Sequence, residues 1–268
     1  ETEIVVPGDL AESLPAFLEA AQSARHDSWW KAINSWREDQ PIKVPSRKGP
    51  LLARHVVEAL NRHTHGDAIV STDVGQHQMW VSQMYQFKRP YQWLSSGGLG
   101  TMGFGFPAAI GASFAHPEKE VWAVVGDGGF QMTLQELQTA KETGIDVKIA
   151  LINNSFLGMV RQWQELFYEN RYSHVEMGSP DFGLLAQAYG VSYFLCDSPD
   201  TLDETLERAR NTKGVVLCEF KVQMEDNVYP MVAAGSSNDH VIVDPTKDYQ
   251  PFQGLDCEPT APQEAPAR

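Results

Sequence analysis

The sequence predicts an α/β fold: a doubly wound, mostly parallel six-stranded sheet with helices on both faces. Two observations carry this. From Pro50 onward, short apolar runs of strand type alternate with stretches of helical periodicity. Two of those runs, Val121–Val125 and Val147–Ile152, end directly in loops rich in Gly, Asp and Asn, as parallel strands feeding crossover helices do.

Each element follows from its pattern. Leu51–Arg62 places Leu52, Val56, Val57 and Leu60 on one helical face. Ala68–Asp73 is a short apolar run and reads as a strand, and Gln76–Tyr85 as a helix. Tyr91–Ser95 is a strand with a thin apolar pattern, followed by the Gly-rich SSGGLGTMGFG. Phe106–Phe114, rich in Ala and Ile with Pro107 near its first turn, is a buried helix. Val121–Val125 is a strand, Thr133–Glu142 a helix and Val147–Ile152 a strand. Leu157–Phe167 is a helix with Met159, Val160, Trp163, Leu166 and Phe167 as its apolar set. Phe182–Tyr189 (helix), Val191–Leu195 (strand), Leu202–Ala209 (helix) and Val215–Phe220 (strand) complete the domain, assigned to residues 50–237.

Residues 1–49 differ. Ala11–Arg37 carries Leu14, Phe17, Leu18, Trp29, Trp30, Ile33 and Trp36 at helix-like spacing, and a polar stretch with three prolines follows up to Pro50. This reads as the end of a preceding domain plus a linker, or alternatively as a helical hairpin of the main domain. Residues 238–268 lack apolar periodicity and hold five prolines between Pro245 and Pro266, so a disordered tail is expected.

Composition narrows the function classes. Of 268 residues, 42% are hydrophobic and 21% charged, enough for a full core. A net charge of −14 leaves no basic stripe for phosphate backbones, so nucleic-acid binding is not expected. No apolar run has the length of a membrane helix. Cys196, Cys218 and Cys257 are odd in number and widely spaced, which fits a reducing compartment.

A ligand is expected at the carboxyl ends of the strands. The sharpest candidate is Gly126-Asp127-Gly128-Gly129-Phe130, between a strand and a helix. Gly128 and Gly129 permit close backbone approach to an anion, and Asp127 could bridge a hard cation to it. Taken alone, Asp-Gly is equally a turn. Asn153-Asn154 follows Gly128 after 24 residues, at the end of the next strand. One strand–helix–strand unit would bring Asp127 and Asn154 to a common point, an oxygen donor set suited to Mg2+. Gly98-Leu-Gly100-Thr-Met-Gly103 is a rival dinucleotide fingerprint, with Asp127 as its acid 24 residues on. Against it, YQWLSS lacks the apolar run of a buried first strand. His63 and His65 have no third ligand nearby and read as surface residues. Glu136 and Glu142 read as solvated helix positions, although Glu136 could turn inward.

GDG…NN resembles the signature of thiamine diphosphate enzymes. GQHQMW (75–80), SGGLGTMGFGFPAAIGA (96–112), GDGGFQMTLQELQTA (126–140) and NNSFLGMVRQWQELFY (153–168) are similar to the catalytic subunit of acetohydroxyacid (acetolactate) synthase, a likeness spanning about residues 50–235. The resemblance implies side-chain metal ligation by Asp127 and Asn154 and a carbonyl ligand at Phe156. Gly126, Gly128 and Gly129 would hold the diphosphate by backbone, beside a loop of Gln76, His77 and Gln78. Gly100 and Met102 would meet the aminopyrimidine ring, with Gly158, Met159 and Val160 covering the thiamine. Met159 and Trp163 would line the substrate channel, although Met102, Met159 and Trp163 at this spacing are otherwise ordinary core residues.

The resemblance further implies decarboxylation of pyruvate and condensation with pyruvate or 2-oxobutyrate, giving 2-acetolactate or 2-aceto-2-hydroxybutyrate for valine, leucine and isoleucine synthesis. The activating Glu belongs to an N-terminal domain and FAD to a central domain, neither of which fits in residues 1–49. Fragment or split subunit, and low activity in isolation, are therefore expected. A homodimer or tetramer through the thiamine-binding domains, a small regulatory subunit, and a bacterial cytoplasmic or plastid location belong to the same expectation. Two alternatives stay open: another thiamine enzyme (2-oxoacid decarboxylase, glyoxylate carboligase or oxidase), and a non-catalytic module.

Overall fold

The computed structural model describes residues 4–243 apart from 40, 234 and 239. The chain divides into two compact units, up to Lys43 and from Val44 onward. The first contains two helices, α1 (Leu10–Ala20) and α2 (Asp27–Asp39). Asp9 caps α1 by accepting from the Ala11 N–H. Leu14, Phe17, Leu18, Trp29 and Trp30 are exposed on the two helices.

The second unit is built on a six-stranded sheet with all pairings parallel, in the order β2-β1-β3-β4-β6-β5. The strands are β1 (Ile69–Thr72), β2 (Trp93–Ser95), β3 (Val121–Gly126), β4 (Lys148–Asn153), β5 (Ser192–Cys196) and β6 (Val216–Lys221). The period of two along each strand divides the core. Val70, Trp122, Val124, Ala150, Ile152, Cys218 and Phe220 pack on one face with α3 (Ala53–Thr64), α4 (Gln76–Met84) and α10 (Leu202–Asn211). Ile69, Ala123, Val125, Ile149, Leu151 and Leu217 pack on the other. That face is covered by α5 (Gly105–Ala115), α6 (Asp127–Thr133), α7 (Glu136–Thr143) and α9 (Phe182–Tyr189). With both faces covered, β3 and β4 are buried nearly throughout.

The helix expected over Thr133–Glu142 is α7, which begins only at Glu136; a separate short helix, α6, ends at Thr133. Helical geometry begins at once after β3, so Asp127 itself is the first residue of α6. The domain boundary expected at 49/50 falls earlier, because residues 44–49 are tied into the second unit. Arg47 bonds Asp203 and Glu58, and the Pro45 carbonyl meets His55 Nε2. The disordered tail expected from 238 does not hold over the first of those residues. Val241–Ile242 (β8) pairs antiparallel with Met231–Val232 (β7). The rest of that tail lies outside the described residues.

The chain leaves β1 towards β2, then crosses back to β3 on the other side of β1. The following helices diverge accordingly, α4 to one face and α6 to the other. The crevice between the ends of β1 and β3 is therefore the topological switch point.

Candidate active site

A cleft lies at this switch point. The turn after β1 contributes Val74, Gly75, Gln76 and His77; the end of β3 and start of α6 contribute Gly126, Asp127, Gly128 and Gly129. Asn154, Phe156, Leu157, Gly158, Met159 and Val160 enter from the turn after β4 and from α8 (Gly158–Phe167), and Met102 from the loop before α5.

Its floor has no room for side chains. A Cβ on Gly128 would stand 2.8 Å from Leu157 Cδ2 and 2.9 Å from Met177 Sδ; one on Gly129 would stand 2.2 Å from Asp73 Oδ2. Gly75 (φ +152) and Gly126 hold the His77 imidazole between them, each with a notional Cβ within 3.1 Å of the ring. The imidazole is buried, which pushes its pKa down to about 4, and Nε2 has no hydrogen-bond partner among the described residues. A buried imidazole nitrogen without a partner in a glycine-floored cleft suits an anionic ligand able to share a proton with it.

Asp127 is 2% exposed. Burial pushes its pKa up to about 6, opposed by hydrogen bonds from the Gly128 backbone and the Ser179 hydroxyl. No Lys or Arg pairs with it among the described residues. A desolvated carboxylate without a countercharge is suited to a cation. Among the described residues no three His, Cys, Asp or Glu cluster as a metal site. A metal here would therefore need the mixed oxygen set of the Asp127 carboxylate, the Asn154 amide and a main-chain carbonyl, with ligand oxygens completing it. Asn154 Oδ1 accepts from the Phe156 N–H at 3.1 Å and retains a free acceptor direction. The residues present thus fit a magnesium diphosphate.

Two expected residues lie outside the lining. Gln78 donates to Ser95 Oγ at 2.6 Å, because α4 turns its side chain towards β2. Gly100 sits in the loop after β2 with φ +64, its N–H on the Ser96 carbonyl. Gln76 lines the cleft but spends its amide nitrogen on Gln162 Oε1, the Asp226 carbonyl and Asn227 Oδ1. Trp163 packs on Phe167 at 4.8 Å between ring centres. It lines a second cleft with Gln164, Tyr168 and Arg171, adjoining the first through Met159 and Val160. His63 is not a free surface residue: it is half-buried and meets Asp203 at 3.0 Å. Glu136 takes a hydrogen bond from Thr139 near the surface.

Sequence reasoning missed three supports. Asp73, buried, accepts from the Gly103 N–H at 2.8 and 3.0 Å and so ties the Met102 loop to the end of β1. Gln162, buried on α8, accepts from the Val228 N–H and donates to the Val228 carbonyl. Arg161 lies 5.4 Å from the Phe156 ring centre and 5.0 Å from that of Tyr172 and donates to the Met224 carbonyl. The signal available was a polar residue in an apolar run, which does not disclose its partner.

Fold and cleft together define a diphosphate-binding module of the thiamine enzyme type. Residues 73–220 match the family model "Thiamine pyrophosphate enzyme, C-terminal TPP binding domain", and the chain belongs to that family. It is 44% identical over 225 residues to the acetolactate synthase large subunit of Haemophilus influenzae, covering 83% of this chain and 39% of that one. It is 46% identical over 220 residues to acetolactate synthase of Mycobacterium bovis (80% and 36%). With the large subunit from Lactococcus lactis the identity is 42% over 245 residues (90% and 42%). The chain spans about two fifths of the length of these relatives.

Proposed function

We propose that this chain is the C-terminal cofactor-binding part of an acetohydroxyacid synthase, acting on pyruvate and a second 2-oxoacid. The observation that carries this is the convergence of Asp127, Asn154, Gly128, Gly129 and His77 on one cleft, adjoining a second one lined by Trp163. Asp127, Asn154 and the Phe156 carbonyl would hold Mg2+, and the glycine floor and His77 the diphosphate. Thiamine diphosphate, when bound, supplies the carbon nucleophile and electron sink for 2-oxoacid decarboxylation and carbon–carbon bond formation.

This chain's residues bind and orient. Met102 would support the aminopyrimidine side, and Gly158, Met159 and Val160 would roof the thiamine and keep water from the reacting carbon. Met159 and Trp163 would shape the approach of the second 2-oxoacid, 2-oxobutyrate or pyruvate. Proton transfer at the aminopyrimidine belongs to a Glu outside this chain. FAD, a subunit partner completing the site and a small regulatory subunit belong to the full enzyme, in a bacterial cytoplasm or a plastid. No helix among the described residues is long and apolar enough to cross a membrane.

The test is a magnesium titration of thiamine diphosphate binding. The wild-type chain should bind in a metal-dependent way and Asp127→Ala should abolish that dependence. Unchanged affinity in Asp127→Ala would refute the metal assignment. Product analysis on the full-length enzyme separates a synthase from a decarboxylase.

A further inference from the structure

We infer that Glu219 is a positioning residue for the metal-binding turn, acting through Asn153; this deepens, and rests on, the reading of the cleft as a magnesium diphosphate site. The turn Asn153–Phe156 has to present the Asn154 amide oxygen and the Phe156 carbonyl to the Asp127 side of the cleft. It does so with Ser155 in left-handed conformation, φ +60, where a side chain is disfavoured. Such a backbone persists only where its surroundings over-determine it.

The surroundings are identifiable. Asn153 Oδ1 accepts from the Ser155 N–H at 3.1 Å and so anchors the chain on the N-terminal side of the strained residue, which the Phe156 N–H to Asn154 Oδ1 bond spans. Asn153 Nδ2 donates to Glu219 Oε1 at 2.7 Å. Tyr193 Oη donates to the other oxygen, Glu219 Oε2. Asn153 and Glu219 are both buried, on the adjacent strands β4 and β6, and Tyr193 lies on the edge strand β5. Glu219 makes no ion pair among the described residues. Its carboxylate is therefore committed to two neutral donors, one on each neighbouring strand.

That commitment fixes more than the position of Asn153. An amide side chain can flip. An acceptor-only carboxylate facing Nδ2 allows just one orientation, with Oδ1 turned to the Ser155 N–H. The edge strand, through Tyr193, thus fixes Glu219. Glu219 orients Asn153, and Asn153 pins the Ser155 N–H where the left-handed turn begins, so that Asn154 and Phe156 are presented to the cleft with Asp127. Groups that orient metal ligands commonly cost about 10–100-fold in metal affinity when removed.

The experiment uses the full 268-residue chain with two readouts. One is hydrogen exchange of the peptide spanning residues 153–158 without cofactor; the other is the Mg2+ dependence of thiamine diphosphate binding. Glu219→Leu should speed exchange at this turn by about tenfold or more and weaken apparent Mg2+ affinity by about 10–100-fold, with β3 exchanging as in wild type. Glu219→Gln should lie between wild type and Glu219→Leu, because its amide oxygen can still accept from Asn153 but its own flip no longer excludes the reversed Asn153. Should Glu219→Leu fail to fold, Asn153→Ala makes the same test and should show the same two effects. A folded Glu219→Leu or Asn153→Ala with wild-type exchange and wild-type Mg2+ dependence overturns the inference. So does a Glu219→Gln as impaired as Glu219→Leu. A wild-type chain that binds no thiamine diphosphate at any Mg2+ concentration refutes the cofactor reading instead, and the exchange readout still decides whether Glu219 orders the turn.

Discussion

Adding one methyl group at Gly129 probes one of the two tightest contacts around the cleft. Its Cβ would meet Asp73 Oδ2 at 2.2 Å, about 1.2 Å inside ordinary contact at 3.4 Å, and Cγ at 2.7 Å. Asp73 cannot swing into water, because it is buried and held by the Gly103 N–H at 2.8 and 3.0 Å. Overpacking of this kind costs about 1–3 kcal/mol. Displacing the carboxylate loses a hydrogen bond to a charged acceptor, about 1.5–3 kcal/mol more. Gly129→Ala should therefore destabilise the domain by about 2.5–6 kcal/mol, lowering the thermal midpoint by roughly 5–25 °C. Asp73→Ala removes the obstacle and leaves the Gly103 N–H unpaired, at about 1–3 kcal/mol. The double variant should cost little more than Asp73→Ala alone, a coupling of at least about 1 kcal/mol. Urea unfolding of the four proteins at pH 8 without cofactor measures the cycle. Additive losses, or a Gly129→Ala within about 0.5 kcal/mol of wild type, would refute the steric account.

Other expectations are more local. Burial alone would raise the Asp203 pKa, but hydrogen bonds from Arg62, His63 and Arg47 outweigh it and hold the carboxyl at about 2. Its folded value is thus below the unfolded one. Its contribution is present above about pH 4 and lost as pH falls towards 2. The side chain is 46% exposed, so Asp203→Asn should cost at most about 1 kcal/mol at pH 7 and nothing measurable at pH 2 by denaturant titration. Gln162→Leu removes both bonds to Val228 and the acceptor for Gln76, and should lower stability by about 2–4 kcal/mol in urea. Trp163→Leu in the assembled enzyme should reduce preference for 2-oxobutyrate over pyruvate in competition assays. Unchanged selectivity would make Trp163 a packing residue.

Much of the sheet was legible because its code is local. Val121–Val125 and Val147–Ile152 are continuous apolar runs because both faces of β3 and β4 are covered. β2 was harder to read: it is a three-residue edge strand, half of it open, so little apolar pattern was imposed on it. The break between α6 and α7 escaped for a related reason. Leu134 and Leu137 keep helical spacing across it, so periodicity alone does not reveal the interruption.

The cleft divides in the same way. Asp127, Gly128, Gly129 and Asn154 stand at strand ends, where short-range sequence decides the turn and the βαβ rule decides adjacency. Those residues and the fold class could be read from the chain order of the side chains, and the cofactor class from the family resemblance of the motifs. Tertiary structure alone brought Asp73 under Gly129, Gln162 against Val228, and Tyr193 and Glu219 behind Asn153. It also carried Gln78 towards β2 and out of the cleft. Such partners lie tens of residues apart on elements whose register only the packed sheet sets. A buried hydrogen bond depends on an approach of about 3 Å, and no sequence period specifies that.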